Sequence, residues 1–369
     1  MSLPRFEIFL AAPPGLEPVL LDEVRDHGWT AAKAVPGGVE IKGSWPDIWR
    51  ANLLLRGASR VLVRLGRFRA DALNTLHGKS KELPWKEFLA PEQPFTVEAT
   101  CRKSRIYHSG AAAERVAKAA AAVTGAEPSE DGLRIFVRIE NNMVTISADS
   151  SGDLLHRRGF KEDVAKAPLR ETLAALFLRS MGYRGETTVL DPMCGSGTIV
   201  LEAAEMAAGL APGRGRRFAF QEFPSFNPQA FDRARTKALG GRADTSLRFH
   251  GSDRAEGAIK AAKANAERAG VSGLCRFEQR TVSEVTPPDS PPGLLLTNPP
   301  YGTRIGDRKA LADLYRAFGA VVRDRFAGWR VGFVTSEDAL AKATGLKLEA
   351  APPVPHGSLK IRLWSTPRD

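Results

Sequence analysis

Cysteine is scarce in this chain of 369 residues. Cys101, Cys194 and Cys275 are odd in number and far apart, which supports neither a disulfide framework nor a zinc knuckle. The six histidines are scattered without ligand spacing, so no metal is expected. Long apolar runs are missing too. No stretch approaches the roughly 20 residues that a membrane helix needs, and the opening MSLPRFEIFLAAPPG does not have the layout of a signal peptide. The expectation is a cytoplasmic protein with no membrane partner. Positive charge, by contrast, is plentiful. A net charge of +11 and a pI near 9.8 favour a polyanionic partner. The 43% hydrophobic and 26% charged content is that of a globular protein, and the length implies roughly two to three domains.

The texture changes along the chain. Up to about Leu65, short apolar runs alternate with Gly and Pro turns, and Pro46–Leu55 reads as a helix. From about Val61 to Ala148, strands (Phe95–Ala99, Arg134–Glu140, Met143–Ala148) mix with an Ala-rich helix over Gly110–Val123, an α+β pattern. Asn141-Asn142 sits between two alternating strands and is expected to close a hairpin. A polar, basic stretch containing Arg157 and Arg158 follows as a linker; both arginines are candidates to bind phosphate. From about Ala167 helices and strands alternate: helix Arg170–Met181, strand Thr188–Leu190, helix Thr198–Ala208, helix Ala255–Ala269, strand Leu294–Thr297, helix Ala310–Phe326, strand Arg330–Thr335. That order predicts a doubly wound α/β fold around a parallel sheet.

Three stretches of the α/β part could carry chemistry. In TVLDPMCGSGTIVLEAA a strand ends at Leu190, Asp191 follows, and Gly195-Ser196-Gly197 opens a helix. Glycines there let the backbone approach a ligand, and the helix start offers free N–H groups. A nicotinamide dinucleotide fingerprint would need a third glycine where Val200 stands and an acid about 20 residues on; Asp253 is much further away. An acid before the glycines and another ending the next strand suit a cofactor with an amino-acid tail and a ribose, as in S-adenosylmethionine (SAM). Asp253 is expected to accept the ribose hydroxyls, although an acid before a helix is also an ordinary N-cap.

The third stretch is LLLTNPPYGTRIGD. Pro299 and Pro300 stop the strand and stiffen a loop at its carboxyl end, where open α/β sheets bind ligands. The lone pair of a nucleobase amine is delocalised into the ring. The Asn298 side-chain carbonyl and the Pro299 backbone carbonyl can accept its two hydrogens and hold it towards a methyl donor. Tyr301 can stack on a base turned out of its helix, typically worth about 1–3 kcal/mol, and Arg304 is a candidate phosphate contact. The segment Arg214–Arg242, which includes Arg217, has seven basic and two acidic residues. With Phe218, Phe220, Phe223 and Phe226 interleaved, it reads either as an RNA-facing insertion or as a solvated helix with a few packed aromatics.

The order Asp191–Gly197, Asp253, Asn298–Tyr301 resembles class I SAM-dependent methyltransferases acting on exocyclic amines. With HRRGF…APLRETLAA, DPMCGSGT, NPPYGTRIG and RANLLLRGASRVL added, nearly the whole chain resembles the THUMP-domain RNA methyltransferases that make N2-methylguanine in bacterial 23S rRNA. The resemblance implies a ferredoxin-like domain over 1–60, a THUMP RNA-binding domain over 61–150, a linker over 151–166 and a Rossmann-like catalytic domain over 167–369. It implies that Asp191, Gly195 and Gly197 line the methionine end of SAM and that Asp253 binds the ribose, with Pro192, Cys194, Thr198, Arg254 and Thr281 also at the cofactor. Asn298, Pro299 and Tyr301 would meet the target base, with Pro300 in the same catalytic loop. Thr281 stands where the family usually has an Asp near the adenine. The chain stops at LKIRLWSTPRD, a plausible last strand, so one reaction is expected where some relatives carry a second methyltransferase domain. Guanine in tRNA, adenine N6 in RNA or DNA, and a non-catalytic RNA-binding assembly protein are the alternative readings.

Overall fold

The computed structural model describes residues 5–160, 169–240, 244–302 and 308–367. The chain divides into two units that are discontinuous in sequence: Met1–Ala12, Val24–Leu155 and Arg216–Ala238 form the first, and Pro13–Glu23, His156–Gly215 and Leu239–Asp369 the second.

The first unit is built on eight strands: β1 (Phe6–Ala11), β2 (Lys33–Val35), β3 (Gly38–Gly43), β4 (Arg60–Arg69), β5 (Pro94–Arg102), β6 (Glu127–Pro128), β7 (Leu133–Glu140) and β8 (Met143–Asp149). They lie in one sheet in the order β2-β3-β1-β4-β8-β7-β5-β6. β4 pairs antiparallel with β1 on one side and β8 on the other, so a single sheet runs across the boundary expected near residue 60. In β7 the residues Leu133, Ile135, Val137 and Ile139 are buried while Arg134 and Arg138 point to solvent. This is the period-2 pattern of a sheet with one wet face. Asn141 and Asn142 both take positive φ, 52° and 60°, as a two-residue hairpin matched to strand twist requires. β5 and β7 are parallel, and the helix Ser109–Thr124 lies between them in the chain, the crossover that parallel neighbours need.

The aromatics of the basic insertion are core residues of this same unit. Phe218, Phe220, Phe223 and Phe231 are buried. Phe223 meets Phe88 and Trp45 with ring centroids 5.2 and 5.8 Å apart, and Phe226 and Phe231 meet Trp49 at 6.1 and 5.8 Å. Arg216 donates to the carbonyls of Asp153 and Leu154 at 2.6 and 3.0 Å. The phenylalanines are thus not a platform for RNA bases; their large apolar area is used in packing. Arg217, Arg233, Arg235 and Lys237 are exposed.

The second unit carries β9 (Val189–Asp191), β10 (Phe249–Asp253), β11 (Cys275–Gln279), β12 (Leu294–Thr297), β13 (Arg330–Thr335), β14 (Glu349–Ala350), β15 (Val354–His356) and β16 (Leu359–Ser365). The order is β11-β10-β9-β12-β13-β16-β14, with β15 pairing β16. Strands β11 to β13 are parallel; β16 is antiparallel to β13. Leu294, Leu295 and Leu296 are all buried, the continuous apolar run of a strand covered on both faces. The helix Arg308–Arg325 buries Leu311, Tyr315 and Phe318 in one cluster with Leu295, Val331 and Phe333. The chain leaves β9 for β10 on one side and reaches β12 on the other. The carboxyl ends of β9 and β12 therefore flank a topological switch point, where ligands bind in open α/β sheets. Among the described residues no helix is long and apolar enough to cross a membrane.

Candidate active site

Five parallel strands bring the second and third motifs to one edge. Asp191 ends β9 and is 2% exposed. Its Oδ1 accepts hydrogen bonds from Thr297 Oγ1 at 2.6 Å and from the Met193 amide at 3.0 Å. Burial is the main influence on its carboxyl, raising the pKa to about 7; the nearby Asp253 raises it further, while the two hydrogen bonds work in the opposite direction. No cation is among its hydrogen-bond partners.

The loop from Pro192 to Gly197 folds over the ends of β9 and β10. The Cys194 amide donates to the Ser252 carbonyl at 2.8 Å, and the Gly195 amide donates to Asp253 Oδ2 at 3.0 Å. Gly195 and Gly197 have φ of 52° and 89°, a region that side chains other than glycine rarely adopt. The helix Thr198–Ala207 starts directly after Gly197. Pro192, Cys194 and Thr198 are buried. Burial, with Asp191 and Asp253 close by, pushes the Cys194 thiol well up, so it stays neutral.

Two residues that the motifs did not mark hold this loop. Asn265 donates to the Ser196 carbonyl at 3.1 Å from a fully buried side chain. A β-carbon at Gly251 would come within 2.7 Å of the Phe277 ring and 3.0 Å of the Cys194 sulfur, so only glycine fits there. No sequence signal near the motifs marks either residue.

Asp253 ties the glycine loop to the turn that precedes the next helix. Oδ1 accepts the Ala255 amide at 2.9 Å, a turn just ahead of the helix Glu256–Ala269, while Oδ2 holds Gly195. The carboxylate is half-buried, and each oxygen keeps a second lone pair that a hydroxyl can use. Arg254 is exposed; its carbonyl accepts from Gln279 Nε2 at 3.1 Å. The Arg280 amide donates to the Asp253 carbonyl at 3.1 Å, which sets Thr281 beside Asp253. The Thr281 hydroxyl and amide both donate to Glu284, at 2.7 and 2.8 Å. These bonds draw the exposed Glu284 carboxyl below its ordinary range. A carboxylate therefore stands beside Thr281 in space, three positions later in sequence.

The Asn298–Gly302 loop leaves β12 next to Asp191. Asn298 Oδ1 is buried and has no hydrogen-bond partner among the described residues. Buried carbonyls are seldom left so, and an unmet one points to a function. Pro299 is buried. Tyr315 Oη donates to the Pro300 carbonyl at 3.3 Å, and the Gly302 amide, at φ 80°, donates to Glu337 Oε1 at 3.0 Å. Tyr301 packs against the cluster of Leu190, Tyr315 and Phe333; burial pushes its hydroxyl up to about 12, so it remains a neutral phenol with a partly exposed ring.

The four candidate arginines fare differently. Arg157 and Arg217 are exposed, and Arg304 lies outside the described residues. Arg158 corrects the sequence reading. Its side chain is 1% exposed and pairs with Glu202, itself 2% exposed, at 3.0 Å, so it anchors the helix behind the glycine loop and does not reach a phosphate.

The arrangement fits SAM. A buried carboxylate with no cation among its hydrogen-bond partners in the described residues suits an ammonium, the left-handed glycines at 195 and 197 shape the turn ahead of the helix, and Asp253 presents acceptors that a ribose can use. Residues 158–359 match the RMKL-like methyltransferase domain, 7–62 the RlmL ferredoxin-like domain and 70–149 the THUMP domain. A Synechocystis sp. protein named "Putative RNA methyltransferase" is 32% identical over 365 residues, 96% of this chain and 95% of its own length. A ribosomal RNA large subunit methyltransferase K/L of Syntrophotalea carbinolica is 35% identical over 97% of this chain, which spans 53% of that relative. Two solved structures superpose on almost all of it. One is described as "a putative methyltransferase complexed with SAH", with 26% identity and a TM-score of 0.88, covering 99% of this chain and 98% of that one. The other is named a predicted N6-adenine-specific DNA methylase of Listeria monocytogenes, with 31% identity, a TM-score of 0.88 and 98% and 96% of the two chains covered. The chain belongs to the RMKL-like family of SAM-dependent methyltransferases, with a ferredoxin-like and a THUMP domain ahead of the catalytic one.

Proposed function

We propose that this protein transfers a methyl group from SAM to the exocyclic N2 of a guanine in large-subunit ribosomal RNA. The observation that carries the reading is the buried, unpartnered Oδ1 of Asn298 beside the Pro299 carbonyl. Two preset acceptors match an amine with two hydrogens; they would leave a hydroxyl or a ring carbon half-met.

When bound, SAM supplies a methyl carbon on a sulfonium, which leaves as a neutral thioether as the N–C bond forms. The chain's own residues orient and stabilise. Asn298 Oδ1 and the Pro299 carbonyl take the amine hydrogens, direct the nitrogen lone pair, and favour the positive charge that grows on nitrogen. Pro299 and Pro300 keep these oxygens in place without reorganisation. Tyr301 offers a ring face for the turned-out base. The extra proton then passes to water, so no strong base is called for.

RNA is supported by the THUMP match, the net charge and the K/L relatives, and rRNA by what those relatives are named for. The exposed Arg157 and Arg217 are proposed phosphate contacts, and the catalytic role is assigned to the second unit. Guanine follows from the resemblance set out above. Adenine N6 is the second reading, favoured by the name of the Listeria structure. Mass mapping of rRNA and tRNA from a deletion strain decides between them. Loss of one N2-methylguanosine in large-subunit rRNA is expected; loss of an N6-methyladenosine instead would overturn the guanine assignment.

A further inference from the structure

We propose that Glu337 selects the target base by accepting N1–H of the guanine, through the carboxylate oxygen that does not hold the catalytic loop; this rests on the N2-guanine reading above. Glu337 lies two residues beyond β13, the parallel neighbour of β12 with Thr297 opposite Phe333. That register sets it beside Asn298–Gly302. Oε1 is fixed by the Gly302 amide at 3.0 Å, and the Glu337 amide by Thr335 Oγ1 at 3.2 Å. The side chain makes no cap to the short helix Asp338–Ala343 that follows. Oε2 has no hydrogen-bond partner among the described residues, and the side chain is half-exposed. One oxygen is anchored and the other is open, next to the loop that would grip the amine.

The chemistry of the base edge gives this open oxygen a use. In guanine the atom adjacent to the C2 amine is N1, which carries a hydrogen. In adenine the ring nitrogen beside the C6 amine is also N1, but it carries a lone pair. Asn298 and Pro299 accept from either amine and cannot tell the two apart. An ionised carboxylate only accepts: it bonds to guanine N1–H and repels the adenine lone pair. Sites that hydrogen-bond a particular N–H discriminate strongly against analogues lacking it, because the buried partner is left unmet.

Glu337→Gln tests this with two RNAs. The glutamine carbonyl can still accept the Gly302 amide, while its NH2 now faces the base. Synthetic stem-loops carry the mapped target of large-subunit rRNA as guanosine or as 2-aminopurine, which keeps the C2 amine but has a lone pair at N1. Single-turnover transfer from SAM is measured on both. The wild type should prefer guanosine by roughly tenfold or more. E337Q should lose that preference or reverse it, with an unchanged dissociation constant for SAM. An equal loss on both RNAs would make Glu337 a loop anchor only, and an unchanged guanosine rate would remove it from the site; either overturns the inference. Failure of the wild type on both RNAs, with transfer to an adenosine stem-loop, would instead sink the N2-guanine reading itself.

Discussion

Replacing Asn298 by alanine removes an acceptor that the folded protein does not itself use. Its Oδ1 is buried without a partner among the described residues, and an unmet buried polar group costs about 1–3 kcal/mol. Deleting the amide relieves that cost while losing a little packing. The net change in stability should be within about 1 kcal/mol, a shift of no more than about 2–4 °C in a domain of this size, and upward as readily as downward. Catalysis should respond quite differently. Loss of one preset dipole aimed at developing charge typically lowers the rate by about a hundredfold to a thousandfold, or roughly 2.7–4 kcal/mol of barrier. Interactions that strengthen in the transition state affect chemistry more than binding. In a single-turnover assay with labelled SAM, Asn298→Ala should therefore be at least about a hundredfold slower, with SAM and RNA dissociation constants within about threefold of wild type. RNA with inosine at the target lacks the amine and should accept no methyl group. A near-normal rate, or a large fall in melting temperature, would show that Asn298 is a structural turn residue and refute the mechanism.

Asp191 should make SAM binding depend on pH. Its folded pKa, raised to about 7 by burial, means that between about pH 4 and 7 the folded carboxyl holds a proton that the unfolded one has released. Ligand-free stability from this group thus declines as pH rises through that window. The SAM ammonium favours the ionised form, so affinity should weaken by up to about tenfold per pH unit below 7. Calorimetry should show this slope flattened in Asp191→Asn; a slope unchanged by the substitution would exclude Asp191 as its source. Asp253→Ala should weaken SAM by about 1–3 kcal/mol and leave RNA affinity intact, unless Asp253 serves only the Gly195 and Ala255 amides, when titration would show no loss of SAM. Arg158→Ala breaks the buried ion pair with Glu202 and should destabilise by about 3–5 kcal/mol in a thermal or denaturant melt. A phosphate role would appear instead as a shallower salt dependence of RNA binding with an unchanged melt.

The sequence by itself determined what depends on neighbours along the chain. Glycines at 195 and 197 mark a turn that opens a helix, Pro299-Pro300 ends a strand, Asn141-Asn142 closes a hairpin, and alternation of strand and helix implies a parallel sheet. Each is a local preference of backbone or of hydrophobic period, and each is written within a few residues. Thr281 and Glu284 are equally local: three residues apart, they cap the short turn at Val282–Glu284. Only the tertiary structure decided that the phenylalanines of the basic insertion fill the core around Trp45 and Trp49, which the composition left open between packing and RNA. Only it showed Arg158 buried against Glu202, 44 residues away, Asp253 holding Gly195 across 58 residues, and Glu337 holding Gly302 across 35. The reason is physical. A parallel sheet joins strands that are distant in sequence, so which side chain meets which is set by strand order and register, and neither leaves a periodic trace in the residues that finally touch.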